Sequence, residues 1–141
     1  MAVDSDWGGI LNYASDHGVG TAIYSPLAGW FLSDAAASGA GPHPLGRGAR
    51  NEDANAAGVR AAKSLSFLSR NLNPEQEDDH DLAEAAIRFV LSLKGVTTVL
   101  GGFSDVEQVE MNSLASGKGP LSERNMARIE NVWRGNFGVK A

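Results

Sequence analysis

The stretch Val96-Thr97-Thr98-Val99-Leu100-Gly101-Gly102-Phe103-Ser104-Asp105-Val106-Glu107 decides the fold. It begins as a β-branched, largely apolar run, which reads as a strand. Gly101-Gly102 breaks that run, and Ser104-Asp105-Val106-Glu107 reads as a capping box opening a helix to about Ser116. Strand, glycine turn, capped helix: this is one βα unit. Just upstream, Asp81 and Glu84 have capping-box spacing ahead of the apolar stripe Leu82, Ala86, Phe89, Val90, Leu93, which ends at Lys94-Gly95. Downstream, Ser122 caps a last helix with Met126, Ile129 and Trp133 inward, stopping near Gly135.

The same grammar appears near the start of the chain. Asp6 caps a helix through about His17, with Trp7, Ile10, Leu11 and Ala14 on one face and Gly18 as its left-handed stop. Thr21-Ala22-Ile23-Tyr24 follows, a short apolar run of the kind buried on both faces in a parallel sheet, and it ends at Ser25-Pro26. From Ser33 to Asn55 the sequence loosens, with Gly-Pro-His-Pro and Gly-Arg-Gly-Ala-Arg, so residues 34–55 read as a long Gly/Pro-rich loop. A helix over about Ala56 to Arg70 is predicted next, with Ala61, Leu65, Leu68 and Leu72 inward. The acidic patch Glu75 to Asp81 after Pro74 reads as a solvated connection. Helices alternating with strands imply an α/β fold with parallel strands, in a single domain over residues 1–141.

Composition narrows the chemistry. The chain has 141 residues, no cysteine and a formal net charge of −5. Disulfides, thiolate metal sites and cysteine nucleophiles are excluded, and the charge argues against nucleic acid or an acidic membrane surface as partner. No apolar run approaches a membrane span, and Met-Ala-Val-Asp-Ser-Asp lacks the pattern of a signal peptide, so a cytoplasmic location is expected. His80 among Asp78, Asp79 and Asp81 is read as part of a solvated acidic patch, and no metal site is expected. The three tryptophans are read as packing anchors, with Trp30 the one best placed for the rim of a site.

The stretch Ile23-Tyr24-Ser25-Pro26-Leu27-Ala28-Gly29 resembles the end of the seventh barrel strand of aldo-keto reductases. Val99-Leu100-Gly101-Gly102-Phe103, followed by Gln108, Val109, Glu110 and Asn112, resembles that family's eighth strand and helix. Between them, Ile87-Arg88-Phe89-Val90-Leu91 is similar to its seventh helix. The resemblance runs from about Asp6 to Phe137. It implies a partial (β/α)8 barrel of the TIM type, equivalent to the last two strands and their flanking helices.

The resemblance also implies a residual cofactor site, at the strand ends where such barrels work. Ser25 and Leu27 occupy positions that offer a hydroxyl and backbone groups to the pyrophosphate of NADP or NAD. Gly102, Phe103 and Ser104 precede a helix N-terminus suited to phosphate, and Gln108 and Asn112 match positions that meet the adenine end. Arg47 and Arg50 have the charge for a 2′-phosphate, whereas Asp105 would oppose one.

The family's catalytic tyrosine, lysine, aspartate and histidine lie on earlier strands, in motifs such as Asp-x-Ala-x-x-Tyr that this sequence lacks. Without those partners a tyrosine is a poor proton donor at neutral pH. No catalytic residue is therefore expected here, and the cofactor would bind weakly or only with the rest of the barrel. The expected partners are a complementary barrel fragment or further copies of the chain, with a carbonyl substrate only in a complete barrel. The alternative is a truncated relative acting as a nucleotide-binding or assembly module.

Overall fold

The computed structural model describes residues 8–40 and 52–138. Helix α1 (Ile10–Asp16) leads into strand β1 (Ala22–Tyr24), and then come α2 (Asp34–Ser38), α3 (Glu52–Ser64) and α4 (Leu82–Leu91). Strand β2 (Thr98–Leu100), α5 (Val106–Leu114) and α6 (Glu123–Arg134) complete the order. The two strands form a parallel sheet with Ala22 opposite Thr98, Ile23 opposite Val99 and Tyr24 opposite Leu100. This is the α/β alternation expected for part of a barrel.

Local chemistry accounts for most of the boundaries. Asp81 accepts from the Glu84 N–H at 2.7 Å to start α4, and Ser122 accepts from the Asn125 N–H at 3.4 Å to start α6. Gly18, at φ 65°, ends α1, as its place after the helix predicts. Asp6 and Trp7 lie outside the described residues.

Three expectations need correction. The loop over 34–55 is not one loop: α2 occupies Asp34–Ser38, and α3 starts at Glu52. Helix α2 forms because Ser33 caps it and because the Asp34 carboxylate accepts from Ser69 Oγ at 2.9 Å, Asn71 Nδ2 at 2.8 Å and Leu82 N–H at 3.0 Å. The helix predicted to Arg70 stops at Ser64 and tightens into a 3-10 turn at Ser66–Leu68, which still buries Leu65 and Leu68. Trp133 is 43% exposed rather than inward, while Ile129 carries the packing of α6.

The core joins α2, α3, α4 and α6. Ala36, Ala62, Leu65, Leu68, Leu82 and Ile129 are buried in it, and no strand residue belongs to it. The sheet is covered on one side only. Ile23 and Val99 are half-buried, but Tyr24 is 79% and Leu100 55% exposed, contrary to a strand buried on both faces. Alternating strand residues face opposite ways. The uncovered set is the one that would point into a closed barrel, where further strands would shield it. Helix α5 buries no residue, and Val106 and Leu114 stand exposed.

Polar ties hold the helices together. Glu84, nearly buried, pairs with Arg88 at 3.3 Å and Lys118 at 2.7 Å, while Arg88 donates to the Gly119 and Pro120 carbonyls at 3.0 and 2.9 Å. Burial pushes the Asp81 carboxyl above its usual 3.8, the charges of Asp34 and Glu84 add to this, and the backbone donors of Glu84 and Ala83 oppose it. A carboxyl raised in the folded state weakens the fold while ionised, and this penalty disappears as pH falls through the folded value. Asp81→Asn keeps a capping oxygen and loses the charge. Its melting temperature should exceed that of the parent at neutral pH, and the gap should close on acidification, as read by circular dichroism across a pH series.

Candidate functional site

Because Tyr24 pairs with Leu100, both strands end side by side, and each runs into a turn at that end of the sheet. The first turn is built under strain. Ser25 and Ala28 have left-handed backbone at φ 56° and 51°, a region that residues with a Cβ rarely adopt. Hydrogen bonds hold it closed: Ala28 N–H donates to the Ser25 carbonyl at 3.0 Å and Leu32 N–H to the Leu27 carbonyl at 3.1 Å. The Ser25 side chain stands exposed, whereas Leu27 packs against the core. Ala28→Gly should stabilise the chain by about 1 kcal/mol by removing the left-handed penalty. Chemical denaturation would measure this, and an unchanged midpoint would show that the turn stores no strain.

The second turn is closed by its own side chains. Phe103 folds over Gly101, where an added Cβ would come 2.6 Å from the ring. Asp105 caps α5, its Oδ1 accepting from the Gln108 N–H at 2.8 Å. Gln108 turns back: its Nε2 donates to Asp105 Oδ2 at 2.8 Å, and its Oε1 accepts from the Ser104 N–H at 3.1 Å. The capping box is thus Asp105 with Gln108, one residue later than Ser104 with Glu107. Gln108 is engaged in that cap and in holding the Ser104 donor, and Gly102 has open space around it.

Beneath this turn, a cleft of about 330 Å³ lies between α4, β2 and α5. Ile87, Leu91, Val99 and Phe103 give it an apolar body, Asn112 brings a neutral amide, and no charged residue lines it. Of the expected cofactor residues, Gly102, Phe103, Ser104, Gln108 and Asn112 are gathered at this turn and cleft, while Ser25 and Leu27 lie on the neighbouring turn. Arg47 and Arg50 lie outside the described residues.

A larger groove of about 520 Å³ lies elsewhere, between the 72–78 connection and α6. Gln76, Asp78, Asn125 and Arg128 line it, and the Arg128 guanidinium sits 3.8 Å over the Phe67 ring. No residue of either strand end borders it. In parallel α/β folds the strand ends are the working face, so the smaller cleft is the candidate site.

Other residues singled out in the sequence fall into place around it. Trp30 is buried in the core beside Phe31, at a ring separation of 5.2 Å, rather than on the rim. His80 is 4% exposed and 3.7 Å from Asp78, so the acidic connection is solvated only in part. Tyr13 is exposed on α1 and stacks on His17 at 4.0 Å. Among the described residues, no cluster of three or more acidic, histidine or cysteine side chains is placed to hold a metal, and no helix is long and apolar enough to cross a membrane.

No curated protein matches the sequence. Among solved structures, an aldo-keto reductase from Bacillus halodurans, AKR11C1 in its holo form, is similar with 25% sequence identity and a TM-score of 0.60. The alignment covers 93% of this chain and 39% of that one, so the chain spans well under half of the solved protein. The family model of the aldo/keto reductases matches residues 5–134. With that match over nearly its whole length, and with two parallel strands ending in the turns described above, the chain belongs to the aldo/keto reductase family.

Proposed function

We propose that this chain is the C-terminal, cofactor-binding part of an NAD(P)H-dependent reductase of aldehydes or ketones, and that it holds the adenosine end of the cofactor. The observation that supports this is the pairing of two strand-end turns, in register, above a neutral cleft presenting Asn112. The fit is physical: a cavity of about 330 Å³ with an apolar body, one amide and the neutral side chains of Thr97, Thr98, Ser113 and Ser116 suits a planar heterocycle. Asn112 would orient the ring by its amide, and Phe103 would cover it. The exposed Ser25 hydroxyl would meet the pyrophosphate, with Leu27 anchoring that turn in the core. When bound, the nicotinamide end would supply the hydride, and the groups acting on the carbonyl would come from barrel strands outside this chain.

The bare inner face of the sheet favours a second reading, a relative whose role is assembly. The cofactor reading is tested by NMR titration with adenosine diphosphate. With only part of a cofactor site, affinity should lie in the high-micromolar to millimolar range, since each missing hydrogen bond costs roughly 0.5–1.5 kcal/mol. Shift changes centred on residues 104–112 are expected. A flat response at millimolar ligand would leave assembly as the standing account.

A further inference from the structure

The groove between the 72–78 connection and α6 lies apart from both strand ends, and its floor is polar. Gln76 and Asn125 line it, at 8% and 2% exposure, where buried positions are ordinarily apolar. Gln76 Nε2 donates to the Phe67 carbonyl at 2.8 Å and to Asn125 Oδ1 at 3.5 Å. Asn125 Nδ2 donates to Asp78 Oδ2 at 3.1 Å, and the Asp78 N–H returns a bond to Gln76 Oε1 at 3.3 Å. A primary amide has two donors and two lone pairs, so Asn125 keeps one of each unused. Arg128 stacks on the Phe67 ring at 3.8 Å and makes no ion pair or hydrogen bond among the described residues, which leaves its N–H fork free. The floor is thus held in place with bonding capacity to spare.

The charges around that floor narrow the ligand. Arg124 and Arg128 line the groove together with Glu75, Glu77 and Asp78. Carboxylates only accept hydrogen bonds, and guanidinium groups only donate them. A simple anion would meet three like charges and a simple cation two. A hydroxyl both donates and accepts, so a neutral ligand rich in hydroxyls satisfies every group and brings no charge. Planar amides, carboxylates and guanidinium groups also present paired atoms, which suit adjacent hydroxyls. Phe67 and Leu72 add apolar surface for the C–H face of a ring. The volume of about 520 Å³ falls within the range of small-molecule sites, roughly 300–1,000 Å³. We propose that this groove binds a small saccharide or glycoside, with Asn125 and Asp78 at its floor and Arg128 at its wall. The site is independent of the cofactor cleft, and neither stands or falls with the other.

The test is NMR titration of the intact chain with methyl α-glucopyranoside, methyl β-galactopyranoside and trehalose. None of these has a free carbonyl, which separates this site from recognition of a reductase substrate. At least one should bind in the millimolar range, as a few neutral hydrogen bonds allow. The shifts should centre on the Gln76 and Asn125 side-chain amides and leave residues 104–112 still. Arg128→Gln and Asp78→Asn should each weaken that ligand about tenfold. Arg134→Gln, on the same helix but outside the groove, should leave it unchanged. Citrate and spermidine serve as charged probes of the same amides. Tighter binding of either than of every glycoside overturns the proposal, as does a flat response to all three glycosides at tens of millimolar. Glycoside binding that neither Arg128→Gln nor Asp78→Asn weakens overturns it as well.

Discussion

Gly95→Ala should lower the stability of the chain by roughly 2–5 kcal/mol, from overpacking and left-handed strain together. Gly95 has φ 87°, and a Cβ built on it would come within 2.1 Å of the Leu11 carbonyl oxygen. That contact is backbone against backbone, so no side-chain rotation relieves it. The residue lies between α4 and β2, where α1 crosses, and displacing it would shift the segment that sets the register of the sheet. A fall in melting temperature of roughly 10 °C is expected for a chain of this size. Gly102→Ala is the natural control, because nothing lies within 4 Å of its added carbon. A similar loss at both positions would show that α1 is not packed against Gly95 as described.

Carbonyl reduction by the chain alone should be undetectable with either nicotinamide cofactor, a loss of many orders of magnitude relative to a complete enzyme. The family's proton donor needs a lysine and an aspartate beside it and a histidine to orient the substrate. The tyrosines here are Tyr13 and Tyr24. Tyr13 stacks on His17 on the outer surface of α1, and Tyr24 points from the bare face of β1 with 79% of its area exposed. General acid catalysis requires a donor held within hydrogen-bond reach of the reacting oxygen, and desolvation around it strengthens that contact. An open sheet face provides neither.

How much of this was legible in the sequence follows from the range of the interactions. The strands were visible because apolar runs ending at Ser25-Pro26 and Gly101-Gly102 are local signals, and the Asp81 and Ser122 caps because a capping side chain reaches only three residues ahead. Helix α2 was not visible. Asp34-Ala-Ala-Ala-Ser is too short to persist alone, and it is held by Ser69, Asn71 and Leu82, all more than thirty residues away. The solvent side of the strands was misread for the same reason: an apolar run signals what should be covered, not whether a neighbour is present. At the candidate site, the positions of Phe103 and Asn112 followed from the resemblance. The engagement of Gln108 with Ser104 did not, although the Asp105-x-x-Gln108 spacing held the signal.

The account stands most directly on an activity measurement. The chain is mixed with a polypeptide carrying the first six β/α units of an aldo-keto reductase barrel, and cofactor oxidation is followed with an aldehyde substrate, alongside each component alone. The chain by itself should show no turnover, and the mixture should sediment as a complex and reduce the aldehyde. Turnover by the chain alone after rigorous removal of contaminating reductases would contradict the account, as would two components that sediment separately and stay inactive together.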